Sequence, residues 1–187
     1  MQEHTGLKEA EIIEECRAGD LSNFRKLVEM TYPFAFSLAF RLLGDEEHAR
    51  DVVQETMVTI WQKLKNIRSA EVYRTWIYKV VTNKCYDHLR KRKRNMEHIA
   101  DERTWSLLKE SIYQSPSTRL ENEETAQIIE ILTGKLSPRQ KTVFILSEVE
   151  EMSGDEISKI TGLSKALIKA NLYHARKSIK ELIEKFL

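Results

Sequence analysis

Residues 71–94 read EVYRTWIYKVVTNKCYDHLRKRKR. The spacing predicts one amphipathic helix. Tyr73, Trp76, Ile77, Val80 and Val81 recur at intervals that place them on one buried face. Lys79, Asn83, Tyr86, Asp87 and Arg90 fall on the opposite, polar face. The helix runs out into five consecutive basic residues at 90–94. Such a run is ordinarily a solvated helix end, and cations near a helix C-terminus also offset the helix dipole. Joined to a face carrying amide and aromatic groups, it points to a surface for nucleic acid.

Immediately upstream, the loop NIRSA at 66–70 is short and polar apart from Ile67. Before it comes DVVQETMVTIWQKL, within a helix expected from 46 to about 65. Ala49, Val52, Val53, Thr56, Ile60 and Leu64 form its core stripe, and Trp61 and Trp76 are both assigned to the core. Asp51, Gln54 and Glu55 share the outer face, joined further along by Val58. Asp51 and Glu55 are a like-charge pair one turn apart, which destabilises an isolated helix by a few tenths of a kcal/mol. The plainer reading is a solvated acidic face. The sharper one is a docking face for a basic partner.

Further back, a first helix is expected over 7–18, stopped by Gly19-Asp20. A second starts near Leu21 and carries Phe24, Leu27, Val28, Phe34, Leu38, Leu42 and Leu43. Pro33 lies inside this run and should kink or break it. Gly44 then ends the helix and Asp45 caps the next.

Downstream of residue 94 the periodicity weakens. Residues 96–122 read as a linker with some helical content, holding Trp105, Leu107, Leu108, Ile112 and the turn Ser115-Pro116-Ser117. It is too long for an ordinary loop. Ile128, Ile129 and Leu132 then share one face of a helix over 123–132. Ser137-Pro138-Arg139-Gln140 is a capping box with proline at the first helical position, and its helix carries Val143, Phe144 and Leu146. Ser153-Gly154-Asp155-Glu156 is a second capping box. It opens a short helix with Ile157 and Ile160, broken by Gly162. A last helix runs from about 164 to the end, with Ile168, Leu172, Ala175, Ile179, Leu182 and Phe186 facing inward. A short helix, a glycine turn and a longer helix make a helix-turn-helix signature. Its outer side carries Lys165, Lys169, Asn171, Tyr173, His174, Arg176 and Lys177, with no acid between residues 164 and 180. A merely solvated helix mixes signs, so DNA is the better reading.

The whole chain has 187 residues, 41% of them hydrophobic, enough for one medium domain or two small ones with real cores. With 30 Lys+Arg against 29 Asp+Glu the net charge is +1, so it is the segregation of charge into blocks that informs. Nothing alternates with period two for long enough to make a strand. The expected fold is all-α: two small helical domains, 1–95 and 123–187, joined by the linker 96–122. The two cysteines, Cys16 and Cys85, imply no disulfide framework. The polar, acidic N-terminus has no apolar signal core, and no apolar run approaches a membrane span, so a cytoplasmic, reducing location and no membrane insertion are expected. Cys85 and His88 are three apart, but two ligands do not make a structural zinc site, and no metal or cofactor is expected. No nucleophile, carboxylate pair or glycine-rich phosphate loop stands out, so an enzyme reading has nothing to rest on.

The chain resembles bacterial RNA polymerase sigma factors of the small extracytoplasmic-function (ECF) class. In the N-terminal half the resemblance rests on FRKLVEMTYPFAFSLAFRLLGDEEHARDVVQETMVTIWQKL and YRTWIYKVVTNKCYDHLRKRKR, which are similar to sigma region 2. In the C-terminal half it rests on LSPRQKTVFILSEVEEMSGDEISKITGLSKALIKANLYHARKSIKEL, which is similar to region 4. The resemblance implies a helical region 2 bundle and a region 4 helix-turn-helix. It implies that Asp51, Gln54 and Glu55 dock on core RNA polymerase. It places Asn66, Ile67, Arg68, Ser69, Arg74, Lys79, Asn83, Tyr86 and Asp87 near the melted −10 promoter element, with Arg90, Lys91 and the rest of the basic run on phosphates. The last helix would lie in the −35 major groove, with Lys165, Lys169, Asn171, Tyr173, His174, Arg176 and Lys177 available for base or phosphate contact. An anti-sigma factor is implied as a further partner. The family's recognition helix often begins with a Gly-Thr-Val-like run, where this chain has Ala166-Leu167-Ile168. The loop NIRSA lacks the family's usual glycine and aspartate.

Two other classes stay open on sequence. A stand-alone helix-turn-helix regulator would bind duplex DNA without polymerase, and needs neither the acidic face at Asp51 nor the polar face at Asn83. A helical interaction module would carry the basic run only as a solvated end.

Overall fold

In a computed structural model, residues 3–17, 21–67, 69–95, 129 and 131–184 are described. Among them there is no strand. The helices are α1 (Glu3–Arg17), α2 (Leu21–Leu43), α3 (Glu46–Lys63), α4 (Ala70–Asn95), α5 (Pro138–Phe144), α6 (Gly154–Thr161) and α7 (Lys165–Glu184). A 3-10 turn, Leu64–Asn66, closes α3, and a π-helical turn, Ile145–Val149, extends α5. The expected linker at 96–122 and Phe186 lie outside the described residues.

The stretch that opened the sequence reading is one helix. Tyr73, Ile77, Val81, Cys85 and Leu89 make a continuous buried stripe along α4, with Trp76 and Val80 half-buried beside it. That stripe packs on α2 and α3. α3 contributes Ala49, Val52, Val53, Thr56 and Ile60, as the spacing predicts, and α2 contributes the expected Leu27, Leu38, Leu42 and Leu43 together with Ala35 and Ala39, while Phe24, Val28 and Phe34 are half-buried. A buried hydrogen bond of 2.8 Å between Thr31 Oγ1 and Tyr73 Oη ties α2 to α4. Asp45 caps α3, its carboxylate accepting from the His48 backbone N–H at 2.9 Å.

Two expectations are corrected here. Pro33 does not break α2, which is helical from Leu21 to Leu43. The proline faces outward, where water can take the carbonyl its ring leaves unpaired, and the buried face on either side of it is uninterrupted. Trp61 is not core: it is 52% exposed, its ring edge-on to Phe24 with centroids 4.8 Å apart. Ile60 and Leu64 are buried on the stripe itself, so Trp61 lies at its edge, where the Phe24 ring flanks it.

Both C-terminal capping boxes form. Ser137 and Gln140 exchange side-chain and backbone bonds at the start of α5, and Ser153 and Glu156 do so at α6. Gly162 ends α6 in the left-handed region, with φ of 74°. A side chain there would meet no atom within 4 Å, so the demand for glycine comes from the backbone alone. Gly162→Ala should cost about 1–2 kcal/mol through that backbone strain. Urea unfolding of the full chain would read it, and an unchanged midpoint would mean that the turn relaxes freely.

The two halves are in contact. α5 and α6 pack against α4. Val143, Ile145, Leu146, Ile157, Ile160 and Ile168 belong to the same apolar cluster as the α4 stripe. Lys141 of α5 is buried, and its charge acts on Cys85, whose thiol is pushed well above the usual range by burial. Arg41 of α2 donates to Glu150, just beyond the π-helical turn, at 2.6 Å. The Glu150 side chain is only 8% exposed, and the Tyr78 hydroxyl lies within reach of the same carboxylate.

Candidate nucleic-acid interface

α3 and α4 run side by side and leave a groove of about 540 Å³ between their outer edges. Asp51, Gln54, Glu55 and Val58 line it from α3, and Lys84, Asp87, His88 and Lys91 from α4. Asp51, Gln54 and Glu55 are all exposed. The expected self-repulsion of Asp51 and Glu55 is offset, because Lys84 Nζ sits 2.8 Å from Glu55 Oε2. The acidic face and the last turns of the α4 polar face are therefore two walls of one groove.

At the head of that groove His48 and His88 meet edge to face, with ring centroids 4.5 Å apart. His48 Nδ1 is 2.9 Å from Asp45 Oδ1. Burial holds the His88 pKa below its ordinary 6.5, helped by His48 and Lys91. A lowered histidine pKa means the unfolded chain takes up the proton first. The stability held by neutral His88 is complete above pH 6.5 and is lost as pH falls through the depressed folded value. Urea midpoints should therefore drop between pH 7 and pH 5, and His88→Gln should flatten that drop. An equal drop in the variant would place the acid sensitivity elsewhere; Glu148, and below it Asp45, are carboxylates whose stabilising charge is lost as pH falls further.

The opposite flank of α4 faces the C-terminal half. Thr82, Asn83 and Tyr86 border a cavity of about 160 Å³ with Arg139, Thr142, Val143, Thr161 and Leu163. Asn83 is exposed and Tyr86 half-buried. Arg74, Lys79, Asp87, Arg90 and Lys91 are exposed, as is Asn66, and Ser69 is half-buried at the start of α4. Arg68 and the side chains at 93–95 lie outside what is described. Ile67 is corrected: it is 5% exposed and part of the core, because the 3-10 turn bends the chain inward at that point. It cannot touch DNA from there. Arg92 is corrected in part, since its guanidinium donates to the Leu43 carbonyl at 3.3 Å and closes the end of α2.

On α7, Ile168, Ala175, Ile179 and Leu182 are buried and the basic side faces outward. Lys165 pairs with Asp155 at 2.6 Å, Arg176 with Glu148 at 2.7 Å, and Lys177 lies 3.8 Å from Glu181. The Arg176 hydrogen bond is the main cause that holds the Glu148 carboxyl below its usual range. Asn171 is turned along its own helix, its amide nitrogen 2.7 Å from the Leu167 carbonyl. Tyr173 is 65% exposed, with the His174 ring 5.5 Å away. Lys169 is exposed and makes no ion pair among the described residues. Leu167, 48% exposed, was not among the expected contact residues. Its signal in the sequence was a leucine off the inward stripe of α7.

A groove with an acidic wall on α3, a basic end to α4 and an outer face of α7 without acid through residue 180 fit the class of protein that handles DNA together with a partner. The family comparisons give that class its identity. Residues 27–95 match sigma-70 region 2 and residues 121–179 match sigma-70 region 4. The chain belongs to the sigma-70 family and is an ECF-class sigma factor, a non-enzymatic protein of transcription initiation. It is 22% identical over 174 residues to the ECF RNA polymerase sigma factor SigW of Bacillus subtilis, covering 90% of this chain and 93% of SigW. It is 28% identical over 148 residues to the RNA polymerase sigma factor SigV of the same organism, covering 78% and 81%. Among solved structures, CnrH in complex with the cytosolic domain of CnrY matches with a TM-score of 0.61 at 22% identity, covering 93% of this chain and 96% of that one. That likeness bears out the fold, two helical domains with no strand among the described residues. Among the described residues, no helix is long and apolar enough to cross a membrane.

Proposed function

We propose that this sigma factor binds core RNA polymerase through the acidic wall of the α3–α4 groove and directs it to promoters with −35 and −10 elements. The observation that carries the reading is the separation of charge. Asp51, Gln54 and Glu55 stand exposed on α3, while the exposed side of α7 holds no acid through residue 180. A self-contained DNA-binding protein has no use for the first surface.

On this reading residues 1–95 form the polymerase-docking and −10-reading domain, 96–122 the linker, and 123–187 the −35-reading domain. Asn66, Ser69, Arg74, Lys79, Asn83, Tyr86 and Asp87 meet the non-template strand, with Arg90 and Lys91 on phosphates. Unpaired bases stack on aromatic and guanidinium faces, so α4 binds the melted strand better than duplex. That difference in affinity is what shifts the melting equilibrium. An anti-sigma factor is a further proposed partner. CnrH was solved with CnrY, and RpoE of Bartonella quintana, a second structural neighbour at a TM-score of 0.58, with the anti-sigma factor NepR. The proposed location is the cytoplasm, where the polymerase is.

Co-elution with purified bacterial core polymerase on a sizing column, then transcription from a genomic fragment library, tests the reading. Stable association with new, discrete start sites is the expected result. DNA binding by the chain alone, with no polymerase association even for the separated halves, would replace it with a stand-alone regulator.

A further inference from the structure

We infer that α7 reads its duplex site through thymine methyl groups, with Ala166, Leu167 and Ala170 as the contacting residues. This rests on the reading of α7 as the −35 recognition helix, and it concerns what that helix can discriminate.

The first two turns of a recognition helix are the part that reaches base edges. In α7 the polar groups near those turns are engaged elsewhere. Lys165 is drawn aside to Asp155 at 2.6 Å. Asn171, the residue type best suited to adenine, is spent on the Leu167 carbonyl at 2.7 Å and sits toward the inward side. Arg176, the type best suited to guanine, lies a further turn along and is held by Glu148 at 2.7 Å. Lys169 remains exposed, but an ammonium on a flexible stem lacks the fixed fork of arginine.

Between Lys165 and Lys169, what the first two turns present outward is apolar. Ala166 and Ala170 lie one turn apart and are exposed, and Leu167 beside them is 48% exposed. The alanine methyls let the helix axis approach the floor of the groove. The occupant is specified by the charge of the rim: α7 carries no carboxylate before Glu181, Lys169 makes no ion pair among the described residues, and the pairs of Lys165 with Asp155 and Arg176 with Glu148 are solvent-exposed, so phosphates can take their place. Such a rim complements a polyanion. In the major groove of a polyanionic duplex, the thymine C5-methyl is the apolar group available to small aliphatic side chains.

The test uses the full chain assembled with core polymerase on a promoter recovered from a random-sequence library. Each thymine of the −35 element is replaced in turn by deoxyuridine, which removes only the methyl. Two or more positions should each weaken binding about fourfold, the worth of one buried methylene. Leu167→Ala, an exposed position that leaves the core intact, should weaken binding to unmodified DNA severalfold. It should also abolish the response to deoxyuridine at one of those positions, as a double-mutant cycle requires of direct contact. Insensitivity to deoxyuridine throughout, with loss of binding when 7-deazaguanine replaces guanine, would overturn the inference in favour of hydrogen-bond readout by Lys169 and leave the sigma assignment standing. Failure to recover any promoter would instead remove the reading on which the inference rests, and the inference with it.

Discussion

Lysine at both Asp51 and Glu55 should weaken association with core RNA polymerase by about a hundredfold or more. Both side chains are exposed on the same wall of the α3–α4 groove, one helical turn apart. A basic partner surface that meets two acids in the native protein would meet two cations in the variant. Like charges set against each other at an interface cost several kcal/mol, and each 1.4 kcal/mol is a factor of ten in affinity. The fold itself should hold. Neither residue is core, and the one ion pair lost, Glu55 with Lys84, has its carboxylate two-thirds exposed and contributes little. A helical circular dichroism spectrum matching wild type, together with loss of co-elution, is the expected pair of results. Undiminished co-elution would move the docking surface off α3.

The second large effect is expected at Glu150. Its carboxylate accepts from Arg41 at 2.6 Å and lies near the Tyr78 hydroxyl, so it joins the C-terminal half to both α2 and α4. Removing one partner of a buried pair leaves the other charge uncompensated, which costs about 3–5 kcal/mol when burial is complete. Arg41 is 33% exposed and water can reach it, so about 2 kcal/mol is the better expectation for Glu150→Ala. The loss falls on the contact between the halves and leaves the core of each intact. Small-angle scattering should show a larger radius of gyration with unchanged helix content. A variant as compact as wild type would mean that the apolar contacts of α5 and α6 with α4 hold the halves together unaided.

The two halves differed in how far the sequence could be read. Local signals carried through: both serine capping boxes, Asp45 at the start of α3 and Gly162 at the end of α6 depend on residues within one turn, and all formed. The inward stripes of α3, α4 and α7 carried through because helical periodicity is also local. What did not carry through depends on neighbours distant in sequence. Pro33 was tolerated because its face of α2 is uncovered, and Trp61 was left half-exposed because it lies at the edge of the stripe on which Ile60 and Leu64 are buried. Ile67 looked like a loop residue and became core through the inward turn at 64–66. The ion pairs of Lys84 with Glu55, Arg176 with Glu148 and Arg41 with Glu150 join residues 28 or more apart. Sequence spacing could name the charged residues of the site but not which of them are already engaged.

That engagement on α7 has a consequence for how the protein behaves among bulk chromosomal DNA. A cation that leaves Asp155, Glu148 or Glu181 for a phosphate uncovers an acid, which then collects a counterion from solution. Fewer ions are released per contact than the count of lysines and arginines implies, so the half proposed to read the −35 element should show a shallow dependence of affinity on salt. Ion release is the main source of sequence-independent attraction to DNA. On the proposed reading of α7, a recognition helix with most of its cations pre-paired gives up part of that attraction, and is less readily trapped on the vast excess of non-promoter sequence.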